Sequence, residues 1–141
     1  MMESQKHFTL SDNDFIAQFE TFELPENWFT HEAHLRLAYI LLKRHGVLQS
    51  IQKMCAQIKQ FDHHFGDGTK YHHTITIAAI KTVNHFMLKS SSTNIRALLQ
   101  EFPQLKSNFF GLLKCHYSPK ILESNKSRVS YIEPDLLPYD S

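Results

Sequence analysis

Residues 30–46 read THEAHLRLAYILLKRHG and have the features of one complete amphipathic helix. Thr30 is a residue type that caps helix N-termini, and Gly46 follows three basic side chains of the kind that end helices. On a helical wheel the leucines of this segment share one broad face. The face opposite carries Glu32, Arg36, Tyr39 and Lys43. We therefore predict a helix over 30–46 that packs its leucine face into a core.

The sequence on both sides predicts further helices and no strand. Glycine occurs four times and proline five times, which favours long helices over many short strands. The other expected helices are 12–23 after a Ser11 cap, 47–65, 70–89 after a Thr69 cap, 94–102, 104–117 and a short one after Ser118. The expected fold is all-α: a single-domain bundle of about six helices with short loops and an extended C-terminal tail. Residues 1–10 and 134–141 are expected to be irregular.

Composition restricts the class of partner. The chain has 141 residues, the size of one domain, and a formal net charge of +1. It shows no Lys/Arg-rich run, no apolar signal segment at its start and no stretch of about 18 apolar residues. We therefore expect a cytoplasmic monomer or homodimer that binds neither nucleic acid nor membrane. Cys55 and Cys115 have no metal-type spacing and are expected to be small core residues.

Histidine is the outlier in composition, with ten in the chain. His31 and His34 are three residues apart and fall on the apolar side of the 30–46 helix, so their side chains are neighbours. In the 70–89 helix, His72 lies near the centre of the apolar face, Thr76 lies one turn below it, and His73 falls at the edge. Three histidines turned inward from two helix starts predict a shared polar site in an apolar core.

Three imidazole nitrogens that leave coordination positions open are typical of a metal centre. We predict that His31, His34 and His72 bind a divalent metal, for which zinc, iron and manganese are all compatible. Tyr71, Thr76 or a tail carboxylate would complete the surroundings. If the protein is an enzyme, the class that follows is a metal-dependent hydrolase or oxidase. The segment His31-Glu32-Ala33-His34 is one residue short of the H-E-x-x-H pattern, so a zinc protease is not indicated.

Two other interpretations stay open. Two helix starts that face one pocket supply N–H groups for an anionic small molecule, which predicts a metal-free binding module. Alternatively, the histidines are polar contacts inside the core of a structural or protein-interaction domain.

The chain also resembles a family of small bacterial all-helical proteins with no known activity. The family motifs W-[TS]-H-x-A-H-L, Y-H-x-T-I-T and E-P-D-L correspond here to residues 28–35, 71–76 and 133–136. This chain departs from the pattern by the insertion of Phe29. The resemblance places His31, His34 and His72 on the histidine positions of the family and His73 on a variable one. It also implies a pocket wall or lid that contains Ser118, Arg128, Glu133 and Asp135.

Overall fold

The computed structural model describes residues 5–140 of the chain. Within that range every regular element is helical, with eight α-helices and two short 3₁₀ helices. The α-helices are α1 (Asp12–Glu20), α2 (His31–Phe65), α3 (His73–Leu88), α4 (Ile95–Glu101), α5 (Gln104–Ser107), α6 (Phe109–Lys114), α7 (Pro119–Leu122) and α8 (Asn125–Val129). The 3₁₀ helices are Lys6–Thr9 and Glu26–Trp28. The predicted all-α class is confirmed, although the helices outnumber the six expected.

The long α2 consists of two helices that fold back on each other at Gly46. This glycine has φ +78° and ψ −179°, a conformation that is essentially restricted to glycine. The aromatic rings of Phe29, beside the start of α2, and Phe61, near its end, lie 4.9 Å apart between centroids. A straight helix would separate these positions by about 48 Å at 1.5 Å per residue. The two halves therefore run antiparallel and correspond to the predicted helices 30–46 and 47–65.

The core lies mainly between α2 and α3, with α1, α4 and α6 packed around them. Fully buried side chains include Phe15, Phe19, Leu35, Leu37, Met54, Ile80, Leu98, Leu105, Leu113 and Tyr117. The predicted leucine face of residues 30–46 is therefore inside the molecule.

Three of the four residues predicted for the opposite, polar face are buried as well, which corrects the prediction, and only Lys43 is exposed. Glu32 is 7% exposed and Arg36 4% exposed. The chain segment before α1 covers this side: Arg36 Nη1 donates to the carbonyl of His7 at 2.6 Å, and Nη2 donates to Asp12 Oδ1 at 2.9 Å. The Glu32 carboxylate lies 2.7 Å from Lys106 Nζ. Each buried charge thus has a partner of opposite charge, which makes its burial tolerable.

The N-terminal segment also departs from the expected irregular structure of residues 1–10. Residues 1–4 lie outside the described range, whereas Lys6–Thr9 form a 3₁₀ helix. Its His7 is fully buried beside Arg36 and Phe15. The interior between α1 and α2 thus includes a segment whose sequence carries no helix signal.

α3 begins at His73, three residues later than predicted, and His72 rather than Thr69 is its cap. The preceding turn is held by Asp62, whose Oδ2 accepts from the backbone N–H groups of Lys70 and Tyr71 at 2.9 Å each. Those two N–H groups are therefore already satisfied before α3 starts. The His72 ring then accepts the N–H of Ile75, as a capping oxygen would.

The predicted helix 104–117 is interrupted. Asn108 has φ −146° and ψ 46°, outside the helical region, and separates α5 from α6. Helix α8 was not predicted. Its N-terminal cap is Ser124, whose Oγ accepts from the N–H of Ser127 at 3.1 Å. Of the two cysteines predicted for the core, Cys55 is buried and Cys115 is exposed.

Residues 134–140 contain no helix or strand and run beside α3 and the end of α6. The backbone N–H of Leu136 donates to the carbonyl of His116 at 3.0 Å. Tyr139 stacks on the His116 ring with centroids 3.8 Å apart, and its hydroxyl lies 3.1 Å from Thr82 Oγ1. The tail is therefore anchored on the side of α3 that holds Thr82.

Candidate functional site

A cavity of about 350 Å³ lies between the two halves of α2, the first turns of α3 and α6. Most of its wall is apolar and comes from Leu35, Ala38, Met54, Ile58, Ile75, Ala79, Val83, Phe109 and Phe110. Its remaining lining residues are His31, His34, Lys70, Tyr71, His72 and Thr76. The structure thus brings the three sequence-predicted histidines to the wall of one cavity.

His34 is held on one side by its own helix start. Its Nδ1 lies 2.8 Å from the carbonyl oxygen of Thr30, and its ring stacks on Phe29 with centroids 3.8 Å apart. A carbonyl oxygen only accepts hydrogen bonds, so Nδ1 carries the proton. Burial lowers the pKa of His34 to about 4, so the ring is neutral at pH 7. Nε2 of this ring consequently has a free lone pair.

His31 is held in the opposite tautomer. Its Nε2 lies 3.0 Å from the carbonyl oxygen of Leu105, and its ring meets the Phe109 ring edge-on at 4.9 Å. Nε2 therefore carries a proton, and in the neutral form of the ring Nδ1 has the lone pair. The residue is exposed overall, so it forms the outer edge of the cavity wall.

Both nitrogens of His72 are engaged with the protein. Nδ1 accepts the N–H of Ile75 at 3.1 Å, and Nε2 donates to the carbonyl of Leu122 at 3.0 Å. Ser127 Oγ, which is fully buried, lies 3.3 Å from the same Nε2. Burial lowers the pKa of His72, which agrees with a neutral ring. This histidine caps α3 and ties it to α7, and it presents only ring carbon atoms to a bound molecule.

The two nearby hydroxyl groups are also bonded. Thr76 Oγ1 donates to the carbonyl of His72 at 2.7 Å, and the Tyr71 hydroxyl lies 2.7 Å from His73 Nδ1. Burial raises the pKa of Tyr71, so this phenol stays protonated. The polar groups left without a protein partner in the cavity are therefore chiefly the ring nitrogens of His31 and His34.

The other four residues singled out from the sequence lie away from the cavity. The backbone N–H of Ser118 donates to Asp135 Oδ1 at 2.8 Å, an arrangement that fixes the tail at the start of α7. Arg128 donates to the carbonyl of Thr69, and Glu133 is exposed. Among the described residues, none beyond Phe110 lines the cavity, so the tail does not form its lid.

The structure permits a test of how well the predicted metal ligands fit an ion. Within residues 5–140, no group of three or more His, Cys, Asp or Glu side chains is arranged to hold a metal. Ligation by His72 would break its bonds to Ile75 and Leu122. His31 Nδ1 and His34 Nε2 have no hydrogen-bond partner among the described residues, so these two nitrogens could bind an ion without breaking a bond. The three-histidine metal centre stays a prediction.

Lys70 is the cationic side chain at the cavity. Its side chain is 79% exposed, and its ammonium lies 3.8 Å from Glu26 Oε2. The positive charge therefore sits at the mouth, in water, and is opposed by a carboxylate.

Several features of the site carried no signal in the sequence. The carbonyls of Leu105 and Leu122, which orient two of the histidines, belong to loops and short helices far along the chain. Met54 and Ile58 reach the cavity because α2 folds back at Gly46. The sequence predicted a helix over 47–65, but not which histidines its side chains face.

No protein-family model, curated protein sequence or solved structure matches this chain. In the described part of the chain, no helix combines the length and apolar character required to cross a membrane.

Proposed function

We propose that the protein binds a small, largely apolar molecule in the cavity between α2, α3 and α6. The observation that carries this proposal is the cavity itself, about 350 Å³ in volume with apolar walls and two histidines with free nitrogen lone pairs. Small-molecule sites commonly have volumes of a few hundred Å³, mostly apolar walls and a few placed polar groups.

The unequal hydrogen bonding of the histidines supports a ligand site more strongly than a purely structural role. A core histidine in a structural domain normally has both nitrogens satisfied, as His72 does. His34, on the adjacent helix start, uses only Nδ1. The resulting interior surface is apolar with an unsatisfied polar edge, which suits a molecule that has an apolar body and one polar group.

A fluorescent probe tests this proposal. N-phenylnaphthylamine is a neutral aromatic dye that fluoresces strongly in apolar surroundings. We expect it to bind the native protein with a saturable rise in fluorescence. Ala79→Phe fills part of the cavity and should reduce the dye affinity at least tenfold, whereas Ala17→Phe on the exposed side of α1 should not change it. Equal affinities in the two variants would contradict binding in this cavity.

A second candidate, divalent metal binding, is favoured by one observation. The free lone pairs of His31 Nδ1 and His34 Nε2 come from residues three apart on α2, which places both rings on one side of the helix. Zinc, iron or manganese held there would need water or a bound molecule as further ligands, and metal-dependent hydrolysis or oxidation is the chemistry that such an ion supports.

Elemental analysis of protein purified without a polyhistidine tag tests this candidate. The expected result is near-stoichiometric metal that is lost in the His31→Ala/His34→Ala double variant, and metal content equal in the two proteins would contradict it.

A further inference from the structure

We infer that the cavity selects neutral molecules that carry a hydroxyl or N–H group, which donates to an acceptor pair formed by His31 Nδ1 and His34 Nε2. This inference rests on the proposed function, because it specifies the chemical class of the molecule bound there. It goes beyond that function, since an apolar cavity alone would accept any molecule of suitable shape.

The backbone fixes the two tautomers. The carbonyl oxygens of Leu105 and Thr30 accept from His31 Nε2 and His34 Nδ1, respectively. A neutral imidazole has one donor nitrogen and one acceptor nitrogen, so the nitrogen left over in each ring is an acceptor. Rotation of either ring to present a donor at the free position would break its bond to the Leu105 or Thr30 carbonyl.

The acceptor nitrogen of His34 is accessible to a bound molecule. The buried side-chain nitrogen and oxygen atoms without a partner in the described chain are His7 Nε2, Ser50 Oγ and Gln57 Oε1. His34 Nε2 is absent from this set and has no hydrogen bond to the described residues, so it reaches open space. Because His34 lines the cavity, that space is the cavity. A bound molecule with a donor would satisfy this nitrogen, whereas a bound molecule without a donor would cover it and leave it unsatisfied, which is costly.

The same geometry disfavours an anion at this edge. A carboxylate has only acceptor oxygens, so it would direct its lone pairs at those of the two rings unless a ring gained a proton. Of the described residues that line the cavity, Lys70 is the one with an ammonium group, and this group faces Glu26. An anion bound in this cavity would therefore be attracted by Lys70 rather than by the histidines.

Three probes with the same ring system separate these possibilities. Naphthol carries a hydroxyl donor, methoxynaphthalene has an oxygen that only accepts, and naphthoate is an anion at pH 7. We expect naphthol to displace N-phenylnaphthylamine about tenfold more tightly than methoxynaphthalene does, the factor that corresponds to one hydrogen bond to a poorly solvated acceptor. Naphthoate should bind most weakly.

Two matched variants test whether His34 causes the preference for naphthol over methoxynaphthalene. His34→Phe keeps a ring that can stack on Phe29 but removes the acceptor, so naphthol should lose its advantage while methoxynaphthalene keeps its affinity. His45→Phe makes the same replacement at an exposed position outside the cavity and should leave both affinities unchanged.

The possible outcomes distinguish a failure of the acceptor pair from a failure of the binding function. Equal binding of naphthol and methoxynaphthalene to the native protein would overturn the acceptor pair and leave the binding function standing. Tightest binding of naphthoate would also overturn it, in favour of an anion site. Failure of all three probes and of the dye to bind would overturn the binding function itself.

Discussion

Three histidines at one cavity serve different purposes because their backbone partners differ. His72 accepts one backbone N–H and donates to one carbonyl, so it has no bonding capacity left. His31 and His34 each donate to one carbonyl and retain one acceptor. Residue type and spacing predicted that the three rings would face inward, but the hydrogen-bond partners determine what each ring can do.

Two substitutions of His72 should lower the free energy of unfolding by different amounts. His72→Asn retains an oxygen that can accept the Ile75 N–H but loses the bond to Leu122, whereas His72→Ala loses both. We expect the alanine variant to lose about 2 kcal/mol of unfolding free energy and the asparagine variant about 1 kcal/mol. Urea unfolding monitored by circular dichroism measures both. If both variants were as stable as the native protein, the capping role would be wrong.

The lowered pKa of His34 should make the folded protein less stable in mild acid. Burial lowers its pKa from 6.5 to about 4 in the folded protein. Between those values the unfolded chain binds a proton that the folded protein does not, so stability is full above about pH 6.5 and falls as the pH drops towards 4. His7, whose pKa is also lowered to about 4 chiefly by burial, adds to this loss.

The contribution of His34 can be separated with one variant. His34→Phe has no proton to gain, so its urea midpoint should fall less between pH 7 and pH 4.5 than that of the native protein. His7 remains in both proteins and serves as the common background. Parallel pH dependences for the two proteins would contradict the burial argument for His34.

The fold-back of α2 at Gly46 brings the two halves of the cavity together. Leu35 and Met54 line the same space, although a straight helix would separate them by about 28 Å. The position of this turn was predictable, since Gly46 follows a run of basic residues at a helix end. The antiparallel packing of the halves was not, because it depends on contacts such as Phe29 with Phe61 across 32 positions of the chain.

Replacement of Gly46 by any residue with a side chain should lower the free energy of unfolding because of the backbone conformation at this position. A Cβ at this position meets no atom within 4 Å, so only the backbone conformation at φ +78° opposes Gly46→Ala. We expect this variant to lose about 1–3 kcal/mol of unfolding free energy. Gln49→Ala, on the exposed side of the following helix, should change stability by less than about 0.5 kcal/mol. Equal stability of the two variants in urea unfolding would show that the turn does not require glycine.

Other element boundaries show where local sequence signals fail. The sequence predicted that α3 begins after Thr69, yet Asp62 accepts from the N–H groups of Lys70 and Tyr71, and the helix begins at His73 with His72 as its cap. Likewise, a wheel placed Arg36 on a polar face, whereas the His7 carbonyl and Asp12 bury it. Both differences arise from tertiary partners that a helical periodicity does not contain.

Across the molecule, the all-α class was predictable because it follows from periodicity within single helices. The cavity was not, because its walls come from both halves of α2, from α3 and from α6. Its polar character depends further on the carbonyls of Leu105 and Leu122, which any residue type would provide. The placement of Ser118, Arg128, Glu133 and Asp135 at a pocket likewise depended on where the tail runs, and the tail lies outside the lining.

A proton–nitrogen correlation spectrum of the histidine rings in isotope-labelled protein, recorded at pH 7 with and without naphthol, observes the tautomers and the bound donor together. We expect His34 to be protonated at Nδ1, and His31 and His72 to be protonated at Nε2. Naphthol should shift the resonance of His34 Nε2 and leave both His72 nitrogens unchanged. A His34 ring protonated at Nε2, or a His34 resonance that does not respond to saturating naphthol, would show that this cavity does not bind a hydrogen-bond donor at His34.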